Sequence, residues 1–162
     1  MTQASSFIQR WRWCEFSTTS TLALQPLLEL LLEPVPSADK ELVQLGLQES
    51  LVNAVRHGNG GDPLKILRVR RILLPRWFVW QVQDQGIGLP QKFRNARLPD
   101  CPDAISGRGL YLMQQCFDDL RWSPRGNRVQ MANAAVVISD DSGSRDPFVR
   151  VSASAGRFQV IL

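Results

Sequence analysis

Glu49-Ser-Leu-Val-Asn53-Ala-Val-Arg-His57-Gly58 is the stretch on which the reading of this chain turns. Glu49, Asn53 and His57 are spaced i, i+4 and i+8, which sets them in one polar stripe along a helix. The same helix carries Leu42, Leu45, Leu47, Leu51, Val52, Ala54 and Val55. Those apolar residues point in most directions, so the helix is expected to be largely buried. A buried carboxylate or amide without a partner is costly. The stripe therefore either faces water or meets a metal–phosphate ligand in a cleft.

Upstream of this helix, Ser37 is placed as its N-cap, with Lys40 where a capping box would carry Glu. Leu22 to Glu33 reads as an earlier helix, stopped by Pro34 and Pro36. Residues 12–18 read as a short strand. Downstream, the helix is expected to stop at Gly58, followed by the dense turn signal Gly58-Asn-Gly-Gly-Asp-Pro63. Strands are expected at 65–73 and 77–84, joined at Pro75-Arg76, and a long loop over 85–106. Residues 107–119 read as a helix, with Leu110, Met113 and Phe117 at helical spacing. Strands at 119–123 and 128–132 meet in the turn Arg125-Gly126-Asn127, and a further strand is read at 135–138. Helices gathered against a mostly antiparallel sheet make an α+β fold, a two-layer α/β sandwich. One domain is expected over residues 1–139. Residues 140–162 are expected to add a flexible link and a C-terminal tail with a strand–turn–strand look.

Two further stretches carry chemistry. In Trp77 to Asp84, period two puts Phe78, Trp80, Val82 and Asp84 on one strand face, so Asp84 ends a row of large apolar side chains. Gly86 and Gly88 follow and permit close backbone approach. A carboxylate at the edge of an apolar slot can accept a hydrogen bond from an exocyclic amine such as adenine N6; a plain strand-ending Asp-Gly turn has the same residues. Ser106-Gly-Arg-Gly-Leu110 opens a helix, where exposed N–H groups and the positive dipole end suit phosphate. Neither a Walker A loop nor a G-x-G-x-x-G fingerprint is present.

In this order and spacing, Glu49-x-x-x-Asn53-Ala-x-x-His57, Asp84-x-Gly86-x-Gly88 and Gly107-x-Gly109-Leu110 resemble the N, G1 and G2 boxes of the GHKL (Bergerat-fold) ATPase and kinase superfamily. The resemblance covers about residues 12–132. Asn53-Ala-Val-Arg-His-Gly58 and the short loop between Gly88 and Gly107 look most like the bacterial anti-sigma-factor serine/threonine kinases. The resemblance implies that ATP and Mg²⁺ bind, with Asn53 as the Mg²⁺ ligand, Asp84 recognising adenine and Glu49 as general base. It also implies that Gly86, Gly88, Gly107, Arg108, Gly109 and Leu110 shape the nucleotide pocket and phosphate loop, with residues 89–106 as a lid. Arg108 is left either on phosphate or in solvent. His57 is expected to make a structural hydrogen bond at the helix end. Family members carry Gly-Thr in the last hairpin where this chain has Gly126-Asn127, an amide in place of a hydroxyl.

The function so implied is a serine/threonine protein kinase acting as an anti-sigma factor. Its partners would be an anti-anti-sigma (STAS-type) protein, which it phosphorylates, and a sigma factor; a homodimer is expected. The alternatives are a non-catalytic or weakly hydrolytic nucleotide-binding module, or a histidine-kinase-like catalytic domain. Composition agrees with an ordinary globular domain: 162 residues, 44% hydrophobic and 21% charged. No apolar run approaches the ~20 residues of a membrane span, and no secretory leader is read at the N-terminus, so a cytoplasmic location and no membrane partner are expected. Cys14, Cys101 and Cys116 lack metal-site spacing. The net charge is +4, and Arg68, Arg70 and Arg71 are read as a solvated strand face. Without an aromatic-interleaved basic stripe, direct nucleic-acid binding is not expected.

Overall fold

The computed structural model describes residues 12–94 and 108–135. Its strands are β1 (Arg12–Thr19), β2 (Ile66–Leu74), β3 (Trp77–Gln83), β4 (Asp119–Trp122) and β5 (Arg128–Ala134). Its α-helices are α1 (Gln25–Leu32), α2 (Ser37–Asn53) and α3 (Arg108–Cys116). The strands form one antiparallel sheet in the order β1-β2-β3-β5-β4, with the helices on one face. This is the expected α+β sandwich. The residues beyond Ala135, with positions 136–138 of the strand expected at 135–138, the domain division at 139/140 and the tail, lie outside the described residues. So do Cys101, Gly107 and most of the expected lid. Ala135 itself follows the end of β5 and is not in a strand.

The central strand β3 has the sequence Trp-Phe-Val-Trp-Gln-Val-Gln, rich in the aromatic and β-branched residues that fit a pleated, buried surface. Phe78, Trp80 and Val82 face the helices and join the core with Leu31, Leu47, Leu51, Val69, Met113 and Met131. Trp80 is fully buried, and its indole N–H donates to the Leu31 carbonyl at 3.2 Å, so its polar end is satisfied inside the core. At Gly46, α2 comes so close to α3 that a Cβ would stand 2.5 Å from the Phe117 ring.

Local departures from the sequence reading each have a physical cause. Pro36, not Ser37, holds the cap position of α2; Ser37 is the first helical residue and makes no capping hydrogen bond. Leu42 and Leu45 stay about two-fifths exposed, because α2 packs through Val43, Gly46, Leu47, Ser50 and Leu51 and leaves its opposite side open. The helical run ends at Gly58, as expected, but its last turn is not α-helical. It widens after Asn53 into a π-helical turn over Ala54–Gly58, closed by Asn59 N–H to the Ala54 carbonyl and Gly61 N–H to the Val55 carbonyl. The positive-φ residues that turn the chain are Gly60 and Gly61. The three arginines of β2 do not share a face. Arg70 pairs with Glu15, its cross-strand neighbour, whereas Arg71 turns to α1 and donates to the Leu30 carbonyl and the Glu33 carboxylate. Successive strand residues point to opposite faces, so 70 and 71 cannot both be solvated from one side. Among the described residues, no helix is long and apolar enough to cross a membrane.

Candidate functional site

Three loops converge on one edge of the sandwich: the end of α2 with its π-helical turn, the turn leaving β3, and the turn between β4 and β5. The start of α3 closes the fourth side. Glu49 and Asn53 are half-buried on the side of α2 that faces α3. A Cβ at Gly109 would stand 2.6 Å from Glu49 Oε2 and 3.5 Å from Asn53 Nδ2. The absence of a side chain there lets the first turn of α3 come down directly onto the two polar groups. Asn53 Nδ2 makes only a weak contact, 3.7 Å from Met113 Sδ, and its amide oxygen has no hydrogen bond among the described residues. Glu49 and Asn53 of the polar stripe thus meet the start of α3. His57, by contrast, is exposed on the widened turn, and the structural hydrogen bond expected for it is not found among the described residues.

Asp84 follows β3 immediately. Its Oδ1 accepts the Gly86 N–H at 2.7 Å, while Oδ2 has no hydrogen bond among the described residues. The carboxylate lies against Gly58: a Cβ at Gly58 would stand 2.5 Å from Asp84 Oδ2. Gly86 is held tighter still, since a Cβ there would fall 2.0 Å from the Gly58 carbonyl oxygen. Gly88 has φ +92°, and Leu89 N–H donates to the Gly126 carbonyl at 2.9 Å, which joins this loop to the β4–β5 turn.

Burial raises the Asp84 pKa above the ordinary aspartate value; the Gly86 N–H and the Asp84 backbone N–H oppose the rise, as do the charges of Arg125 and Lys65. Because the folded-state pKa lies above the unfolded one, the folded chain holds this proton more tightly. The stability that the neutral form contributes is present below the ordinary aspartate value. It is lost as pH rises through the raised pKa, so at neutral pH the charged group costs stability. Asp84→Asn should therefore raise the melting temperature of the nucleotide-free chain at pH 7. An unchanged or lower melting temperature would contradict the account of a desolvated carboxylate. A group kept at a cost to stability is a frequent mark of a functional site.

Of the other expected site residues, Arg108 opens α3 and is exposed, and Leu110 packs against the core. Gly107 lies outside the described residues. Two residues that were not singled out from the sequence belong to the site. Asn59 is completely buried; its Oδ1 accepts the Gln85 N–H at 2.8 Å and its Nδ2 donates to the Ile66 carbonyl at 3.4 Å. Arg94 donates to the carbonyls of Leu89 (3.0 Å), Ser123 (3.0 Å) and Pro124 (2.8 Å), stapling the chain after Gly88 to the β4–β5 turn. In the sequence, Asn59 is one polar residue of a glycine-rich turn, and nothing there signals that it is buried.

Among the described residues no group of three or more His, Cys, Asp or Glu side chains could hold a metal ion. The donor set that is present, the Asn53 amide beside the start of α3, fits Mg²⁺ in its usual role with nucleotides: few protein ligands, with the phosphates and water supplying the rest. Phe78, Trp80 and Val82 are filled into the core and line no open slot, so the half-buried Asp84 carboxylate at the end of their row is the group left to meet a base.

No curated protein matches the chain. Residues 20–133 match the family model of the histidine kinase-like ATPase domain. The matched span begins before α1 and runs almost to the end of β5, and so contains every element that builds the cleft. Over that span the chain belongs to the histidine kinase-like ATPase domain family.

Proposed function

We propose that this chain is an ATP- and Mg²⁺-dependent serine/threonine protein kinase that acts as an anti-sigma factor, with an anti-anti-sigma protein of the STAS type as its phosphate acceptor. Membership of the family supports ATP binding. The observation that carries the kinase reading is Glu49, whose carboxylate lies against Gly109 at the start of α3, one helical turn from Asn53. A nucleotide with its adenine at Asp84 and its phosphates at the α3 start would bring the γ-phosphate to this carboxylate. Asn53 would hold Mg²⁺, which when bound draws charge from the phosphate oxygens. The acceptor hydroxyl oxygen then attacks the γ-phosphorus, the bond to ADP breaks, and Glu49 takes the hydroxyl proton.

The acceptor chemistry is the testable part. A protein retained on the purified chain in the presence of ADP or ATP is incubated with γ-³²P-ATP and Mg²⁺. The label on the partner should survive acid, as a phosphate ester on Ser or Thr does. Acid-labile, base-stable label would point to a phosphohistidine and to a histidine-kinase-like catalytic domain. Nucleotide binding with no transfer to any retained partner would point to a module that acts by binding alone.

A further inference from the structure

The polar ends of a single peptide group, that between Asp84 and Gln85, are both held by asparagine side chains. Asn127 Nδ2 donates to the Asp84 carbonyl at 3.1 Å. On the other side, Asn59 Oδ1 accepts the Gln85 N–H at 2.8 Å. The peptide group is rigid and planar, so a bond at each end fixes its rotation about the chain. Both holders are themselves tied down. Asn59 is fully buried and donates to the Ile66 carbonyl, while Ile66 N–H donates to Gln85 Oε1 at 2.7 Å. Asn127 receives the Asp84 N–H on its own carbonyl at 3.0 Å.

We propose that Asn59 and Asn127 are positioning residues for nucleotide selectivity: they fix the 84–85 peptide so that Asp84 Oδ2 is presented in one direction to an amine on the bound base. The need for such a device follows from the local chain. Asp84 leaves the sheet into Gln-Gly-Ile-Gly, and glycines make a segment conformationally loose. With Oδ1 engaged by Gly86, a single oxygen remains to receive a ligand donor, and its direction decides whether that bond forms. Fixing it before binding removes an ordering cost from association. The assignment also gives a role to the amide that replaces the hydroxyl common in the family's last hairpin: Asn127 acts on the backbone of Asp84. This inference rests on the reading of Asp84 as the acceptor of an adenine amine.

The test measures Mg²⁺–ATP and Mg²⁺–GTP affinity, GTP by competition, for wild type, Asn59→Ala, Asn127→Ala, the double variant and Asp84→Asn. Circular dichroism and melting temperature report folding. Each single asparagine variant should lose about tenfold in ATP affinity with GTP affinity within twofold of wild type, so that the ATP-to-GTP preference falls by about tenfold. The double variant should lose no more than the larger single loss, because both side chains act through one peptide. A merely structural role would lower the melting temperature and leave the preference intact. If Asn59→Ala does not fold, Asn127→Ala decides alone, since its side chain is only half-buried. Wild-type preference in the folded variants, or equal losses for ATP and GTP, would overturn the proposal. If Asp84→Asn abolishes the preference while the asparagine variants keep it, only the positioning role fails. If Asp84→Asn also keeps it, the adenine reading fails, and the positioning role with it.

Discussion

Glu49→Gln should bind ATP within a few-fold of wild type and yet transfer phosphate about 10²–10⁴ times more slowly, the usual worth of a positioned general base. The substitution is isosteric, so the contact with Gly109 that seats α3 on α2 is retained and only the basicity is lost. Asn53→Ala should fail differently. In the proposed role its amide oxygen would hold the metal, so the Mg²⁺-dependent part of ATP binding should fall along with transfer. Titration with Mg²⁺ or with EDTA present, beside ³²P counted on the acceptor protein, separates the two. Transfer by Glu49→Gln at the wild-type rate would show that this carboxylate is not the base.

Gly86→Ala should lower ATP affinity by about ten- to a hundredfold, on the scale of the 1–3 kcal/mol that overpacking commonly costs. The added methyl would fall 2.0 Å from the Gly58 carbonyl oxygen, and a backbone atom cannot rotate away as a side chain would. The turn at the end of α2 and the turn after β3 must then separate, and Asp84 moves with them. The same substitution at Gly60, where a Cβ meets nothing within 4 Å, controls for the general cost of losing a turn glycine. Equal ATP affinity in Gly86→Ala and wild type would mean that this close approach does not shape the pocket.

Much of the architecture is legible in local pattern. The period-two row of β3 puts Phe78, Trp80 and Val82 in the core with Asp84 at its end, and the i, i+4 spacing of Glu49 and Asn53 sets them on the α3-facing side of α2. What local pattern cannot carry is contact between distant segments. The seating of Gly109 on Glu49 and the burial of Asn59 under Gln85 depend on how three turns meet in space. The stripe also ends sooner than its spacing implies. A regular helix would carry His57 in line with Asn53, but the π-helical turn widens the backbone after Asn53 and leaves His57 in solvent. Arg71 shows the same limit in a strand. Its neighbours mark it as a surface charge, and only the proximity of the α1 end, with the Leu30 carbonyl and Glu33, draws it to the helix side.

Whether this cleft binds ATP with the base at Asp84 is decided by titrating labelled ATP with Mg²⁺ into the wild-type chain and into Asp84→Asn. Saturable binding by the wild type is expected, with at least tenfold weaker binding by the variant, about 1.4 kcal/mol, the scale of a hydrogen bond to a charged acceptor. Equal affinity in the two, or a folded wild type that binds no ATP, would contradict this binding mode.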